Sequence, residues 1–298
     1  MVSGLSRRRF LVLSAAAIGT PVTAAPLQWN GFALGAQTSL TIHAPRPQAE
    51  QALHDIRQLL MRVENLFSLY DPASDLSRLN GAGKLDRPAA EFTELLHLAG
   101  TVHGATEGLF DPTIQPLWRA LARGRDIATA RALVGWSQIN IAPEQITLGS
   151  GQALSLNGIA QGFATDLASR MLKQAGLKKV LVNIGEFAAV GGPFTLGISD
   201  PVFGLVDSAR LSNRAIATSS PGAMALSANQ THILHPLTDA QPQWSTVSVE
   251  ADSAAIADAA STAFCLMSEP EIRASLRRLP GAARATLIDQ SGDVQKVG

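Results

Sequence analysis

The chain has 298 residues, 46% of them apolar and 16% charged, which excludes a disordered chain or a long coiled coil and suffices for a substantial core. Acidic and basic side chains number 24 each, so no positive field points to nucleic acid and none is expected as a partner. Residues 1–24 hold three of the arginines and no acid; without them 21 basic groups face 24 acidic ones and the remaining chain is mildly acidic.

Ser6-Arg7-Arg8-Arg9-Phe10-Leu11 leads into the apolar stretch Leu11 to Ala17, then Gly19, Pro21 and the small-residue exit Val22-Thr23-Ala24. A basic start, a short apolar run and small exit residues define a signal peptide, and the run is well short of the roughly 20 residues that span a bilayer. The Arg-Arg-x-Phe-Leu core resembles a twin-arginine signal, which exports folded proteins; an arginine-rich secretory signal is the plainer alternative. Residues 1–24 are therefore expected to be a leader, 25–298 to form one domain, and the periplasm to be the working compartment. No cysteine follows the apolar run and no later segment is long and apolar enough to span a membrane, so no anchor is expected.

Leu27 to Ile42 alternates and carries Gly31 and Gly35, predicting a strand or hairpin. Leu53, Ile56, Leu60, Val63 and Leu66 recur at helical steps and predict a helix over Ala49 to Phe67. Ser68 to Asn80 reads as a loop with a short helical turn. Helices follow over Pro88 to Thr106 and Pro112 to Arg123, and short strands are expected in Ile139 to Ser155 around Gly149-Ser150-Gly151. Asn157 to Ala175 predicts a helix stopped by Gly176. Strands are then expected at Val180–Ile184, Phe194–Ile198, Gly204–Leu211, Ala215–Thr218, His232–Leu234 and Ser245–Val249. Two helices, Ser253 to Met267 and Pro270 to Leu279, precede a closing strand at Arg284 to Asp289. Helices first and strands later, without β-α alternation, predict an α+β fold with antiparallel or mixed sheets and packed helices. Cys265, the single cysteine, reads as a small buried hydrophobe, with a reactive thiol as the alternative.

Five segments carry side chains suited to chemistry. Tyr70 stands where a helix hands over to the polar loop ending at Asn80, placed to stack on a planar ligand or to cap the core. In Gly108-Leu109-Phe110-Asp111-Pro112-Thr113, Asp111 is a natural N-cap with Pro112 at the first helical position. Gly158 and Gly162 flank a helix start, where backbone groups can approach a ligand closely. Thr218-Ser219 is followed by Thr231-His232-Ile233-Leu234-His235-Pro236, a pair of histidines that suggests a turn at a site rim or, less simply, two ligands of a metal. Asp258 and Thr262 stand one helical turn apart on an alanine-rich helix, so both oxygens share a face. That pair suits Mg²⁺, and local capping or pairing of Asp258 is the alternative.

In this order, from Gly31 to the last helix, the segments resemble the ApbE family of FAD:protein FMN transferases. The family pattern is similar at Ser68-x-Tyr70 through Asn80, at Gly108-x-Phe110-Asp111-x-Thr113, at Thr218-Ser219 and at Ala257-Asp258-x-x-Ser261-Thr262. The resemblance implies a single ApbE-like, T-fold-related domain that cleaves FAD with Mg²⁺ and joins FMN to a Thr or Ser hydroxyl of a partner protein. It implies flavin contacts at Leu34, Tyr70, Leu109, Phe110, Asp111, Ser155, Gln161 and Ile233, with Mg²⁺ held by Asp258, Thr262 and the Gly158 carbonyl. His232 is expected to help deprotonate the acceptor hydroxyl.

The chain departs from the pattern at Ser155, where the family has Asp, at Gln161, where it has Lys, at Glu186-Phe187 in place of Gly-Asp, and at His235 in place of Asp. Loss of an Asp and a Lys together leaves no orphaned charge, but removes a cation that would offset phosphate charge. The twin-arginine leader with these changes looks like the NosX-like branch of nitrous oxide reductase maturation factors, whose expected acceptor is a NosR-like membrane electron-transfer protein. A flavin-binding donor protein that does not turn over is the second reading, and a periplasmic small-molecule binding protein the third.

Overall fold

The structure, a computed structural model, describes residues 25–227 and 230–298. The signal-peptide reading of residues 1–24 lies outside them. The chain opens with β1 (Leu27–Ala33), β2 (Ala36–Ile42), α1 (Arg46–Phe67), α2 (Asp75–Ala82), β3 (Lys84–Asp86) and α3 (Ala90–Ala105). Next come α4 (Gln115–Arg123), α5 (Ile127–Arg131), β4 (Asn140–Ile141), β5 (Gln145–Thr147) and α6 (Ala160–Gln174). The strand-rich part holds β6 (Val180–Ile184), β7 (Phe187–Val190), β8 (Phe194–Asp200), β9 (Gly204–Leu211), β10 (Ala215–Ser219), β11 (Ala225–Ser227), β12 (Gln230–Thr231) and β13 (Thr246–Ala251). Helices α7 (Ala254–Phe264) and α8 (Glu269–Arg278) and strands β14 (Ala282–Ile288) and β15 (Val294–Val297) close it.

An eight-stranded antiparallel sheet in the order β1-β2-β6-β7-β10-β13-β14-β15 forms the spine. Its two faces can be read from strand alternation. Val180, Val182 and Ile184 of β6 join the main core, whereas Leu181 between them faces a second cluster with Phe194, Leu196, Ile198 and Leu211. The β8–β9 hairpin thus covers one face, and the helices cover the other, where Phe92, Phe163 and Phe264 are fully buried. Burial of each such ring contributes about 2–3 kcal/mol. The α+β expectation holds. Among the described residues no helix is long and apolar enough to cross a membrane.

Most elements lie where their patterns place them. Helix α6 ends at Gly176, whose φ of +75° carries the chain out of the helix while the Leu177 N–H donates to the Leu172 carbonyl. The short strands expected in Ile139 to Ser155 are β4 and β5, and Gly149-Ser150-Gly151 follows them as a turn, where the Gln152 side chain accepts from the Gly149 N–H. Two expectations need correction. His232–Leu234 is a bend rather than a strand, because β12 ends at Thr231 and the His232 N–H donates to the Met224 carbonyl. Within Ser68 to Asn80 the short turn is a full helix, α2, capped at Ser74 by a bond from the Ser77 N–H. Strands β3, β7, β11, β12 and β15 are additions to the expected set.

The helix layer depends on a close crossing of α6 and α7. A Cβ on Gly162 would collide with the Ala254 carbonyl, and the Gly162 N–H donates to Asp258 Oδ2 at 3.1 Å. Gly162→Ala should cost about 2 kcal/mol or more of unfolding free energy, since the obstacle is backbone that cannot swing aside. Gly81→Ala on α2, where added volume meets nothing within 4 Å, should be neutral or stabilising by about 0.5–1 kcal/mol. Urea unfolding of both variants checks this, and equal effects would remove the crossing from its place in the fold.

Candidate functional site

The crossing brings Asp258 and Thr262 on α7 against the loop that enters α6. Asp258 is buried on a helix whose neighbours are alanine and apolar side chains. Its bond partner at Gly162 is 96 residues away in sequence, so the carboxylate ties two helices together rather than capping its own. Thr262 Oγ1 and Ser261 Oγ both donate to the Asp258 carbonyl, at 3.2 and 3.0 Å. With its proton committed there, Thr262 Oγ1, on the less buried of the two residues, keeps lone pairs to offer a ligand, whereas Ser261 is fully buried. Thr262 Oγ1 lies 3.1 Å from the position a Cβ on Gly158 would take, with the Phe110 ring 3.5 Å from the same point. Only glycine leaves that space open. A carboxylate, an outward hydroxyl and a glycine loop form a hard-oxygen donor set that fits Mg²⁺. Among the described residues no group of three or more His, Cys, Asp or Glu side chains is placed to hold a metal.

Strand ends and turns complete the surroundings. Ser219, at the end of β10, is 2.8 Å from Ser261 Oγ and 3.3 Å from Thr262 Oγ1. The preceding residue is fixed from the β6–β7 turn, where Glu186 Oε2 accepts from the Thr218 N–H at 3.1 Å. Gln161, at the start of α6, donates to the Leu34 carbonyl at 3.1 Å and packs against Gly185, whose φ of +89° no side chain would tolerate there. Leu34 itself is at φ +51° beside Gly35 at +75°, a two-residue turn type that disfavours leucine. Bonds on both of its backbone groups hold it: Glu64 Oε1 accepts from its N–H at 3.1 Å, and Gln161 binds its carbonyl.

The remaining expected residues fall into two groups. Asp111 is a buried cap: Oδ1 accepts from the Thr113 N–H at 2.8 Å and hydroxyl at 2.6 Å, and Oδ2 from the Trp136 N–H at 3.3 Å. Phe110 is buried behind Gly158, Leu109 packs on the main core, and the Ser155 N–H donates to the Pro112 carbonyl. These sit with Gly158, Gln161, Asp258 and Thr262 in one neighbourhood. Tyr70 is 85% exposed, which overturns its reading as a cap on the core and leaves its ring open to solvent.

His232 carries its backbone N–H and Nδ1 to the Met224 carbonyl, the latter at 3.3 Å. A carbonyl only accepts, so Nδ1 holds the proton and Nε2 is the basic nitrogen. His235 instead accepts turn N–H bonds from Leu237 and Thr238 on Nδ1. Burial, and then the charge of Arg131, lower its pKa. It belongs to a turn, which answers the two-histidine metal reading. Ile233 is buried beside them in the main core. Cys265 is fully buried, and burial pushes its thiol far above the ordinary range, as expected of an inert hydrophobe.

Sequence reasoning missed the residues that hold this arrangement from a distance. Asn80 clamps Leu154, one residue before Ser155, by bonds to its N–H at 2.7 Å and carbonyl at 2.9 Å. Glu64 and Glu186 act on turns in the same way. Asparagine at the end of a loop motif was one signal, and Glu186 stood out only as a departure from the family pattern; Glu64 carried none.

The ApbE family model matches residues 34–287. An FAD:protein FMN transferase of Chlamydia muridarum is 28% identical over 245 residues, 73% of this chain and 76% of that protein. The apo crystal structure of the Pseudomonas stutzeri flavinyl transferase ApbE superposes with a TM-score of 0.79 at 23% identity, covering 91% of this chain and 94% of that one. The ApbE protein of Thermotoga maritima gives 0.81 at 22% identity, over 91% and 97% of the two chains. These likenesses confirm the fold.

Asp111→Ala removes a helix cap and strands the buried Thr113 hydroxyl and Trp136 N–H. It should lower unfolding free energy by about 2–3 kcal/mol, measured by urea titration without flavin. A loss below about 0.5 kcal/mol would show that the cap is dispensable.

Proposed function

This chain belongs to the ApbE family, and on that footing we propose that it is an FAD:protein FMN transferase that uses Mg²⁺ and acts on an exported redox protein. The observation that carries the reading is the meeting of Thr262 Oγ1 with the open space at Gly158, beside Asp258 on the same helix face. When bound there, Mg²⁺ would supply Lewis acidity to a diphosphate. Asp258, Thr262 and the Gly158 backbone are the groups to hold it, and the Ser219–Ser261–Thr262 hydroxyls orient the edge of the site. Flavin contacts are assigned to Leu34, Tyr70, Leu109, Phe110, Asp111, Ser155, Gln161 and Ile233.

In the transfer, the acceptor Thr or Ser oxygen attacks the FMN-side phosphorus of FAD, the bond to the AMP oxygen breaks, and AMP leaves. His232 Nε2 takes the hydroxyl proton, a role supported by the tautomer that the Met224 carbonyl imposes. Residues 1–24 support export to the periplasm, and that leader taken together with the departures at Ser155, Gln161, Glu186-Phe187 and His235 supports a NosR-like membrane electron-transfer protein as acceptor. A second reading, a flavin donor that binds without turning over, is favoured by Gln161: its amide is neutral and is spent on the Leu34 carbonyl.

Purified protein incubated with FAD, Mg²⁺ and an exported acceptor should release AMP and add one FMN mass to an acceptor Thr or Ser. Bound FAD with no AMP release would select the second reading; no flavin affinity at all would sink both. His232→Ala should abolish transfer and leave FAD affinity within about threefold, a split expected of a residue that acts only on the acceptor proton. Asp258→Asn keeps an oxygen for the Gly162 N–H but loses the charge, and should lower Mg²⁺-dependent AMP release by about 100-fold or more with the melting temperature little changed. Unaltered Mg²⁺ dependence in this variant would take Asp258 out of the metal site.

A further inference from the structure

The eight-stranded sheet ends differently on its two sides. On one side β15 is four residues long and carries Lys296, in an ion pair with Asp207 at 2.8 Å. Short length and a charge are common protections of a strand edge against a further strand. On the other side β1 is seven residues long, and neither it nor β2 holds a charged residue or a proline.

The hairpin geometry settles which backbone groups β1 leaves open. A two-residue turn closes on a residue pair that exchanges both hydrogen bonds. Here that pair is Ala33 and Ala36, across Leu34-Gly35. Bonded pairs recur at every second residue, so Gly31, Trp29 and Leu27 turn their N–H and C=O groups to β2. Those of Phe32, Asn30 and Gln28 point away from the sheet. Among the described residues no bond reaches them.

The side chains leave this edge accessible. Gln28, Asn30 and Phe32 are all exposed, Phe32 at 71%. Trp29 lies over Gly31, so close that a Cβ there would collide with its ring, and packs on the main core. The indole is thus folded onto the strand rather than held out across its edge. An extended chain meeting β1 gains main-chain bonds at three residues and an apolar contact on Phe32.

Strand β1 also leads into the candidate site. One residue past its end, the Leu34 carbonyl accepts from Gln161 at the start of α6, next to Gly162 and its bond to Asp258. A chain laid along β1 is therefore continuous with the place where an acceptor hydroxyl has to arrive.

We propose that β1 is the docking edge for the acceptor protein, which adds an extended segment as a further strand and so carries its Thr or Ser to the Leu34 end. This docking rests on the transferase reading above and names how the acceptor is held. Antiparallel pairing, as throughout this sheet, puts the modified residue at the N-terminal end of the paired segment. Recognition runs through the main chain, with an uncharged segment and an apolar side chain against Phe32.

Titration of the FAD-bound protein with a short labelled peptide, one Thr followed by alternating Val and Gln, tests this by fluorescence anisotropy and amide hydrogen exchange. Binding should saturate and slow exchange at Gln28, Asn30 and Phe32, while Leu27, Trp29 and Gly31, already bonded to β2, stay as they were. Asn30→Pro removes one outward N–H without touching the β2 ladder. It should raise Kd about tenfold with melting temperature and FAD affinity little changed, and Phe32→Ala should weaken the peptide in the same direction. Peptide bound in this way but given no FMN in the presence of Mg²⁺ supports the docking edge and sinks the transferase reading. FMN transfer to the peptide with the same KM in Asn30→Pro as in the parent does the reverse. No saturable binding, or binding without protection of the three amides, overturns the proposal. A parent dimer that Asn30→Pro renders monomeric also overturns it and assigns the edge to a second copy of the chain.

Discussion

The bond from the Gly162 N–H to Asp258 Oδ2 fixes where everything else in the helix layer sits. A carboxylate among alanines is tolerable only with partners, since an unpaired buried charge costs several kcal/mol. Gly162 supplies one because it has no Cβ to keep α7 away. Closeness and charge thus enforce each other: a larger residue at 162 would part the helices and strand the aspartate. The crossing also sets a register. Gln161 faces the Leu34 turn on one side of Gly162, and Thr262, one turn beyond Asp258, faces Gly158 on the other.

From that register the site is assembled by elements that end there. The Leu34-Gly35 and Gly185-Glu186 turns meet Gln161 at the start of α6 and Thr218 on β10, while the end of β10 and the loop into α6 meet Ser261 and Thr262 on α7. Chain ends carry backbone groups that no ladder satisfies, so each must be held by a side chain. Glu64 holds the Leu34 N–H, Glu186 the Thr218 N–H, Asn80 the Leu154 backbone and Asp111 the entry to α4. The conformations at Leu34 and Gly185 are ones that an L side chain resists, and they persist because neighbours on three elements bind or crowd them.

Local chemistry was readable from the sequence, and remote support was not. The i, i+4 spacing of Asp258 and Thr262 announced a shared face, and Asp-Pro-Thr announced the cap that Asp111 makes. Both features are complete within a few residues. The role of Glu64 depends on a turn 30 residues earlier, and that of Asn80 on a loop 74 residues later; no period or motif encodes such distances. Strand β7 escaped notice because Phe187–Val190 is four residues that continue a glycine turn. His232–Leu234 misled for the opposite reason: an apolar pair beside β12 reads as strand, yet the Met224 carbonyl takes its first N–H and bends it. The fold class survived these errors because it rests on the order of many elements.

The departures at positions 155 and 161 separate two demands that one site has to meet. Holding a dinucleotide needs shape and acceptor-donor matching, which the glycine loop, the turns and the hydroxyls of Ser219, Ser261 and Thr262 provide without any net charge. Moving a phosphoryl group needs charge placed in advance near the phosphate oxygens, because a dipole of fixed orientation offsets less than a full cation. At position 161 the amide is directed at the Leu34 carbonyl, where it steadies a turn that its own backbone conformation disfavours. A lysine there would bring a full charge and three N–H donors. Gln161 brings a neutral amide, and the N–H it spends on the Leu34 carbonyl serves the scaffold. On the proposed reading, the positive charge that transfer needs then has to come from Mg²⁺ held by Asp258 and Thr262, and the rate would depend on that metal more steeply than in a site that keeps its own cation.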